Sequence, residues 1–135
     1  MNSLLAKNVC DLIGNTDLLR INSLSDISGC EILLKCEQQN PGGSIKDRAA
    51  LQLVKDAIDS GKLKPGMTIV EGTAGNTGIG LALVAKAYGF NMLVVMPKGQ
   101  AAEKERMVGL HGAELLLVDP CPFKNPAHFY HTAKR

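Results

Sequence analysis

Apolar residues gather in three short runs, TIVE at 68–71, MLVVM at 92–96 and LLLV at 115–118, and none alternates as a half-exposed strand would. Runs of that kind predict strands buried on both faces, as in a parallel sheet. Between them the apolar spacing changes to threes and fours. Residues 77–88 end at Gly89 and residues 101–111 end at Gly112, each glycine suited to the left-handed position that follows a helix. The order is therefore βαβαβ. Glu103 and Glu105 stand early in the second helix, Arg106 and His111 late, the polarity its dipole favours. Upstream, residues 44–60 carry Ala50, Leu53, Val54, Ala57 and Ile58 on one face and stop at Gly61, with Pro65 beyond, which predicts a third, amphipathic helix. Residues 31–35 read as a further strand and residues 9–25 as irregular and rich in turns. Parallel strands joined by helices need right-handed crossovers, so the expected architecture is α/β, a three-layer unit with a parallel sheet.

Composition narrows the class. The chain has 135 residues, 45% of them hydrophobic and 21% charged, with 14 Gly and 6 Pro, which excludes disorder and collagen. A chain of this length buries roughly 68% of its unfolded surface, enough for one core but not for two full domains. The net charge is +2 and the basic residues are scattered, so nucleic acid is not an expected partner. The longest uncharged stretch, 72–85, is fourteen residues with four glycines, too short and too polar to span a bilayer. Residues 1–6 are followed at once by Lys7, which leaves no apolar core for a secretory leader and makes a cytoplasmic location the expectation. Cys10, Cys30, Cys36 and Cys121 form no CxxC pair and read as reduced, mostly buried thiols. His128 and His131 lie one helical turn apart near Cys121, but no fourth ligand is placed beside them, so no metal site is expected.

In open α/β sheets chemistry gathers at the carboxyl ends of strands, and two glycine-rich loops open helices there. The first, NPGGSIKDR at 40–48, leads into the helix that ends near Ser60. Ser44 followed by Asp47 fits a capping box, which puts Lys46 in the first turn. A cation is misplaced there, because a helix N-terminus already carries about half a positive charge. One reading is a solvated lysine. The glycine turn favours another, a lysine whose amine is kept neutral by the helix end and by burial, and a neutral amine is a nucleophile for aldehydes.

The second loop, EGTAGNTG at 71–78, joins a predicted strand to a helix. Its backbone N–H groups and the helix N-terminus would make an anion site. It can also be read as a tight packing turn whose glycines only permit left-handed conformations. Asn76 and the two threonines favour binding, since a purely structural turn needs no such donors. A dinucleotide fingerprint fails, because starting at Gly78 puts Leu83 where the last Gly or Ala belongs, and no start gives a Walker loop.

Taken together, NPGGSIKDR at 40–48 and GTAGNTG at 72–78 resemble the fold type II pyridoxal phosphate enzymes, in their cysteine synthase and cystathionine β-synthase branch. IGNT at 13–16, VMP at 95–97 and GAE at 112–114 are similar to further landmarks of that family, so the resemblance covers nearly the whole chain. It implies the N-terminal part of the tryptophan synthase β-like fold. It also implies pyridoxal 5'-phosphate as cofactor, Lys46 as the Schiff-base lysine, and Asn76 as partner of the cofactor's ring hydroxyl. Thr73, Ala74, Asn76 and Thr77 are implied to hold the carboxylate of the amino acid substrate. The implied reaction is β-replacement: a serine-type amino acid displaces Lys46, the freed amine takes the Cα proton, the β-substituent leaves, and sulfide or another thiol adds. Cysteine synthesis from O-acetylserine and sulfide leads. A cystathionine β-synthase-like enzyme, a serine or threonine dehydratase, a catalytically inactive α/β module and a nucleotide-binding domain are the rivals.

Two positions depart from the family pattern. Ala74 stands where Ser is common, and Asp17 where Pro is usual. Family members are more than twice as long, and their second domain supplies the phosphate-binding loop and the partner of the ring nitrogen. The expectation is thus a partial chain: residues 1–45 a segment that would pack on the larger domain, residues 46–135 the smaller α/β domain, and the C-terminal domain absent. The full-length protein is expected to be a homodimer.

Overall fold

The computed structural model describes residues 5–135. In chain order the elements are β1 (Leu18–Arg20), α1 (Asn22–Ser28), β2 (Leu33–Lys35), α2 (Lys46–Asp59), β3 (Thr68–Gly72), α3 (Asn76–Tyr88), β4 (Asn91–Pro97), α4 (Ala102–Leu110), β5 (Glu114–Val118) and α5 (Phe129–Lys134). β3, β4 and β5 form a parallel sheet in that order, with Gly72 opposite Val95 and Val95 opposite Leu116.

Alternation along β4 sorts the layers. Val94 faces α3, where a Cβ added at Gly78 would lie 3.2 Å from its Cγ1, and Met92 and Met96 share that face and its core. Val95 faces the other way, toward α5, against which its neighbour Gly72 is pressed. Helices on both sides make the unit three-layered. β4 is buried on both faces, as its apolar run predicts, with Met96 0% and Val95 1% exposed. Burial of each such side chain stabilises the fold by about 1.5–3 kcal/mol. The flanking strands are not doubly buried: Val70 is 42% and Leu116 44% exposed. Both lie on the α5 side, and six residues of helix cannot cover three strands.

α3 is the hub. Residues 78–85 are all buried, because the sheet takes one side of this helix and α2 takes another. Its left-handed Gly89 terminates it as expected. At the C-terminal side of α4, Gly112 has φ +79° as predicted, but His111 does not complement the helix dipole as a cation: burial lowers its pKa, against the raising influence of Asp47.

Residues 9–25 are more regular than their sequence implies. A 3-10 turn at Val9–Leu12 packs on α3, and β1 pairs antiparallel with β2. α1 bridges the two strands and ends at Gly29 with φ +69°. Three-residue strands carry too few positions to show a period, which is why the stretch reads as irregular. All six residues of β1 and β2 are exposed, Leu18, Leu19, Leu33 and Leu34 among them. Among the described residues no helix is long and apolar enough to cross a membrane. The leader reading rests on residues 1–6, of which 1–4 lie outside the described residues.

Candidate active site

The Lys46 turn is built differently from a capping box. The Ser44 hydroxyl accepts the Lys46 N–H at 3.1 Å, and α2 begins at Lys46 with no side-chain cap. Asp47 turns inward instead of back to Ser44, and its carboxylate accepts the Gly42 N–H at 2.5 Å. The carboxyl is fully buried with Oδ1 unpartnered, and burial pushes its pKa up while the Gly42 bond opposes that shift. A Cβ at Gly42 would collide with this carboxylate, and Gly43 takes φ +80° as its N–H closes the turn on the Asn40 carbonyl at 2.7 Å. Lys46 itself is exposed, where the glycine turn had suggested burial, and it stands at the first position of α2.

A polar network ties this turn to the N-terminal segment. Arg48 Nε and Nη2 donate to the two Glu37 carboxylate oxygens at 2.8 and 2.9 Å. Thr16 donates to the same carboxylate at 2.8 Å, as does Asn40 Nδ2, while Gly14 N–H donates to Asn40 Oδ1 at 2.8 Å. Asp17, in place of the family's Pro, joins this side by accepting from Gln39 Nε2 at 2.8 Å. Hydrogen bonds from Arg48 and Thr16 hold the Glu37 carboxyl down at about 2, from an ordinary 4.5. A depressed folded-state value stabilises the fold above the unfolded value and loses that contribution as pH falls through about 2. Glu37→Gln is accordingly expected to lower the urea midpoint at pH 7 and to flatten its fall from pH 5 to pH 2. Coincident midpoint curves for the two proteins would show that the Glu37 charge adds no stability.

Beyond β3 the chain keeps the ladder for one more bond, Thr73 N–H to the Val95 carbonyl at 3.0 Å, and then turns into α3. Gly75 sits at the N-cap without a side chain to offer, and the first backbone bond closes from Gly78 N–H to the Gly75 carbonyl at 3.1 Å. The N–H groups of Asn76 and Thr77 are thus left at the helix end, the geometry of an anion site. Thr73 Oγ1 accepts the Gly75 N–H at 3.3 Å, and Lys104 Nζ reaches across from α4 to the Ala74 carbonyl at 3.3 Å.

The two loops meet because α2 and α3 touch at Gly80, where a Cβ would come within 3.2 Å of the Lys46 carbonyl group. Asn76 lies one helical turn before Gly80 on α3. A cleft of about 350 Å³ opens between the Gly42–Gly43 turn, Asn76, Ile79, Lys104 and Met107. Of the residues singled out in the sequence, Asn76 lines it. Thr73, Ala74 and Thr77 are half-buried on the adjoining loop, and the exposed Lys46 lies outside the lining. Lys104 is the residue sequence reasoning passes over, although its signal is the one that marks Lys46, a cation in the first turn of a helix behind a glycine. At the other end of the chain His131 Nε2 bonds the Phe123 carbonyl at 2.7 Å and His128 Nδ1 accepts the Tyr130 N–H at 3.3 Å, so both rings serve local packing around Phe123.

The family model described as pyridoxal-phosphate dependent enzyme matches residues 9–134. The chain is 52% identical over 131 residues to cysteine synthase 1 of Neurospora crassa, covering 97% of this chain and 35% of that protein. It is 50% identical over 106 residues to the cystathionine beta-synthase of Mus musculus, covering 77% and 19%. Its fold superposes on a hydrogen sulfide-producing enzyme of Fusobacterium nucleatum with a TM-score of 0.86 at 37% identity, over 96% of this chain and 41% of the other. The chain spans about a third of the length of the first two curated relatives, 35% and 34%.

Proposed function

The chain belongs to the pyridoxal-phosphate dependent enzymes, and from that premise we propose that, in a protein of its relatives' full length, it carries the lysine and the carboxylate loop of a cysteine synthase. The reaction is β-replacement on a serine-type amino acid, O-acetylserine, with sulfide as nucleophile. The observation that carries this reading is the Gly80 contact, which sets the first turn of α2 against α3 one helical turn beyond Asn76.

The residues fit the cofactor's chemistry. An exposed amine at the start of α2 is accessible to an aldehyde, and the exposed Asn76 amide beside the cleft can serve a ring oxygen. When bound, pyridoxal phosphate supplies an electron sink for the negative charge that develops at Cα. Lys46 Nζ would hold the cofactor by its aldehyde, and its free amine would take the Cα proton. The N–H groups of Asn76 and Thr77, with the Thr73 and Thr77 hydroxyls, bind the substrate carboxylate and orient Cα toward that amine. Ala74 contributes only its backbone. Residues 1–45 pack on the larger part of such a protein through the exposed leucines of β1 and β2, and residues 46–135 form the smaller domain. On this reading the substrates are small molecules, the assembly is a homodimer and the location cytoplasmic.

Borohydride trapping of the protein with pyridoxal phosphate, followed by peptide mass mapping, tests the assignment. Lys46 is expected to carry most of the adduct, and Lys46→Ala to lose it together with the visible absorbance of cofactor uptake. An adduct spread evenly over the lysines, or absorbance unchanged in the variant, would defeat the reading. The 50% identity to the mouse enzyme favours a second reading, a cystathionine β-synthase-like enzyme. Turnover with a larger thiol but not with sulfide would select it.

A further inference from the structure

We propose that Lys104 is a carboxylate-binding residue of this site, supplying the cationic donor that the loop at 72–78 lacks. The inference rests on the reading of that loop as the substrate-carboxylate site. α4 packs against α3, and its first turn places the Lys104 ammonium over the loop: Nζ is 3.3 Å from the Ala74 carbonyl and 4.0 Å from where a Gly75 Cβ would stand. The same side chain lines the cleft shared by Gly43 and Asn76. An ammonium has three donors, and the Ala74 carbonyl takes one. The three ion pairs among the described residues, Arg20–Asp26, Arg48–Glu37 and Lys98–Asp119, do not involve it. Glu103, at the edge of the cleft, is exposed and its charge is screened by water.

Composition of the loop says why a cation is wanted there. Between Gly72 and Gly78 the side-chain donors are two threonines and one asparagine, and all are neutral. Residue 74 has no hydroxyl. A helix N-terminus alone offers an anion partial charges. An ammonium 3.3 Å from the Ala74 carbonyl, beside that terminus, turns a weak anion site into one with a full countercharge. Lys104 is half-buried, so its charge is less screened than that of a surface lysine.

The test uses sodium acetate as the probe, titrated into the full chain without cofactor, with the Gly75, Asn76 and Thr77 amides followed by NMR. Wild type is expected to show saturable shifts at these amides. Lys104→Gln keeps a neutral donor for the Ala74 carbonyl but loses the charge, and is expected to weaken acetate binding about tenfold, the usual scale for a hydrogen bond to a charged group. Lys104→Arg is expected to stay within about threefold of wild type, since the charge is retained. Equal affinity in wild type and Lys104→Gln would overturn the proposal, as would the absence of saturable shifts in wild type. Trapping at Lys46 is scored separately: adduct at Lys46 with acetate binding indifferent to residue 104 sinks this inference alone, and loss of the Lys46 adduct sinks the cofactor reading alone.

Discussion

Gly80→Val is expected to cost about 2–3 kcal/mol of stability, the upper part of the range for overpacking a close contact, and to cut adduct formation at Lys46 severely. The contact at Gly80 is between helices, and its partners are the carbonyl group of Lys46 and the Asp47 Oδ1, each 3.2 Å from the added Cβ. The carbonyl belongs to the backbone and cannot rotate away. Alanine at this position is a control with the opposite balance. One methyl group needs only a few tenths of an ångström of relief, and replacing a helical glycine by alanine returns up to about 1 kcal/mol of helix propensity. Gly80→Ala is therefore expected to sit close to wild type. Valine adds two further carbon atoms and recovers less propensity, so α2 must lift from α3 and carry Lys46 away from Asn76. Urea midpoints and trapping yields for the two variants check this. A valine variant that unfolds earlier but traps as well as wild type would show that the helix contact does not set the position of the lysine.

The parts of this molecule legible in the sequence are those in which one residue type has one physical explanation. Doubly buried strands must be continuously apolar, and the run at 92–96 shows it; left-handed helix ends favour glycine, and Gly89 and Gly112 mark theirs. Less legible were features decided by what lies opposite. Val70 and Leu116 read as buried because they are apolar, yet nothing in their own segments says that α5 is too short to cover them. Ser44 and Asp47 match a capping box in spacing, but the Gly42 N–H outcompetes the helix end for the carboxylate because a turn of two glycines brings it within reach. Lys46 could be flagged for its place at a helix N-terminus, while its exposure depends on surroundings that no local pattern encodes. Lys104 shows the same limit from the other side. Its place in the sequence is as anomalous as that of Lys46, and only the packing of α4 on α3 shows which loop it reaches.

Gly72 separates the two kinds of legibility, and Gly72→Val is expected to release α5 while leaving the site at the other end of the loop intact. Read from the pattern, Gly72 opens the anion loop. In the fold it is the seat of α5: an added Cβ would lie 2.9 Å from the Phe129 carbonyl oxygen, 3.0 Å from the Tyr130 Cα and 3.1 Å from the Ala133 Cβ. The first two of these atoms are backbone, so relief must come from moving a whole element. The choice of element follows from what each holds: β3 is bonded along its length to β4, whereas α5 is six residues resting on β3 and β4. Release of α5 uncovers Val95, so the loss is expected near 2 kcal/mol, within the range for re-exposing one such side chain. Trypsin should then cleave at Lys124 and Lys134 faster than in wild type, while acetate binding at Asn76 and trapping at Lys46 stay within about twofold, since the Asn76 and Thr77 N–H groups belong to α3 and not to the α5 seat. Unchanged proteolysis together with lost acetate binding would return Gly72 to the anion loop, and the absence of a Cβ there would then serve the ligand and not the docked helix.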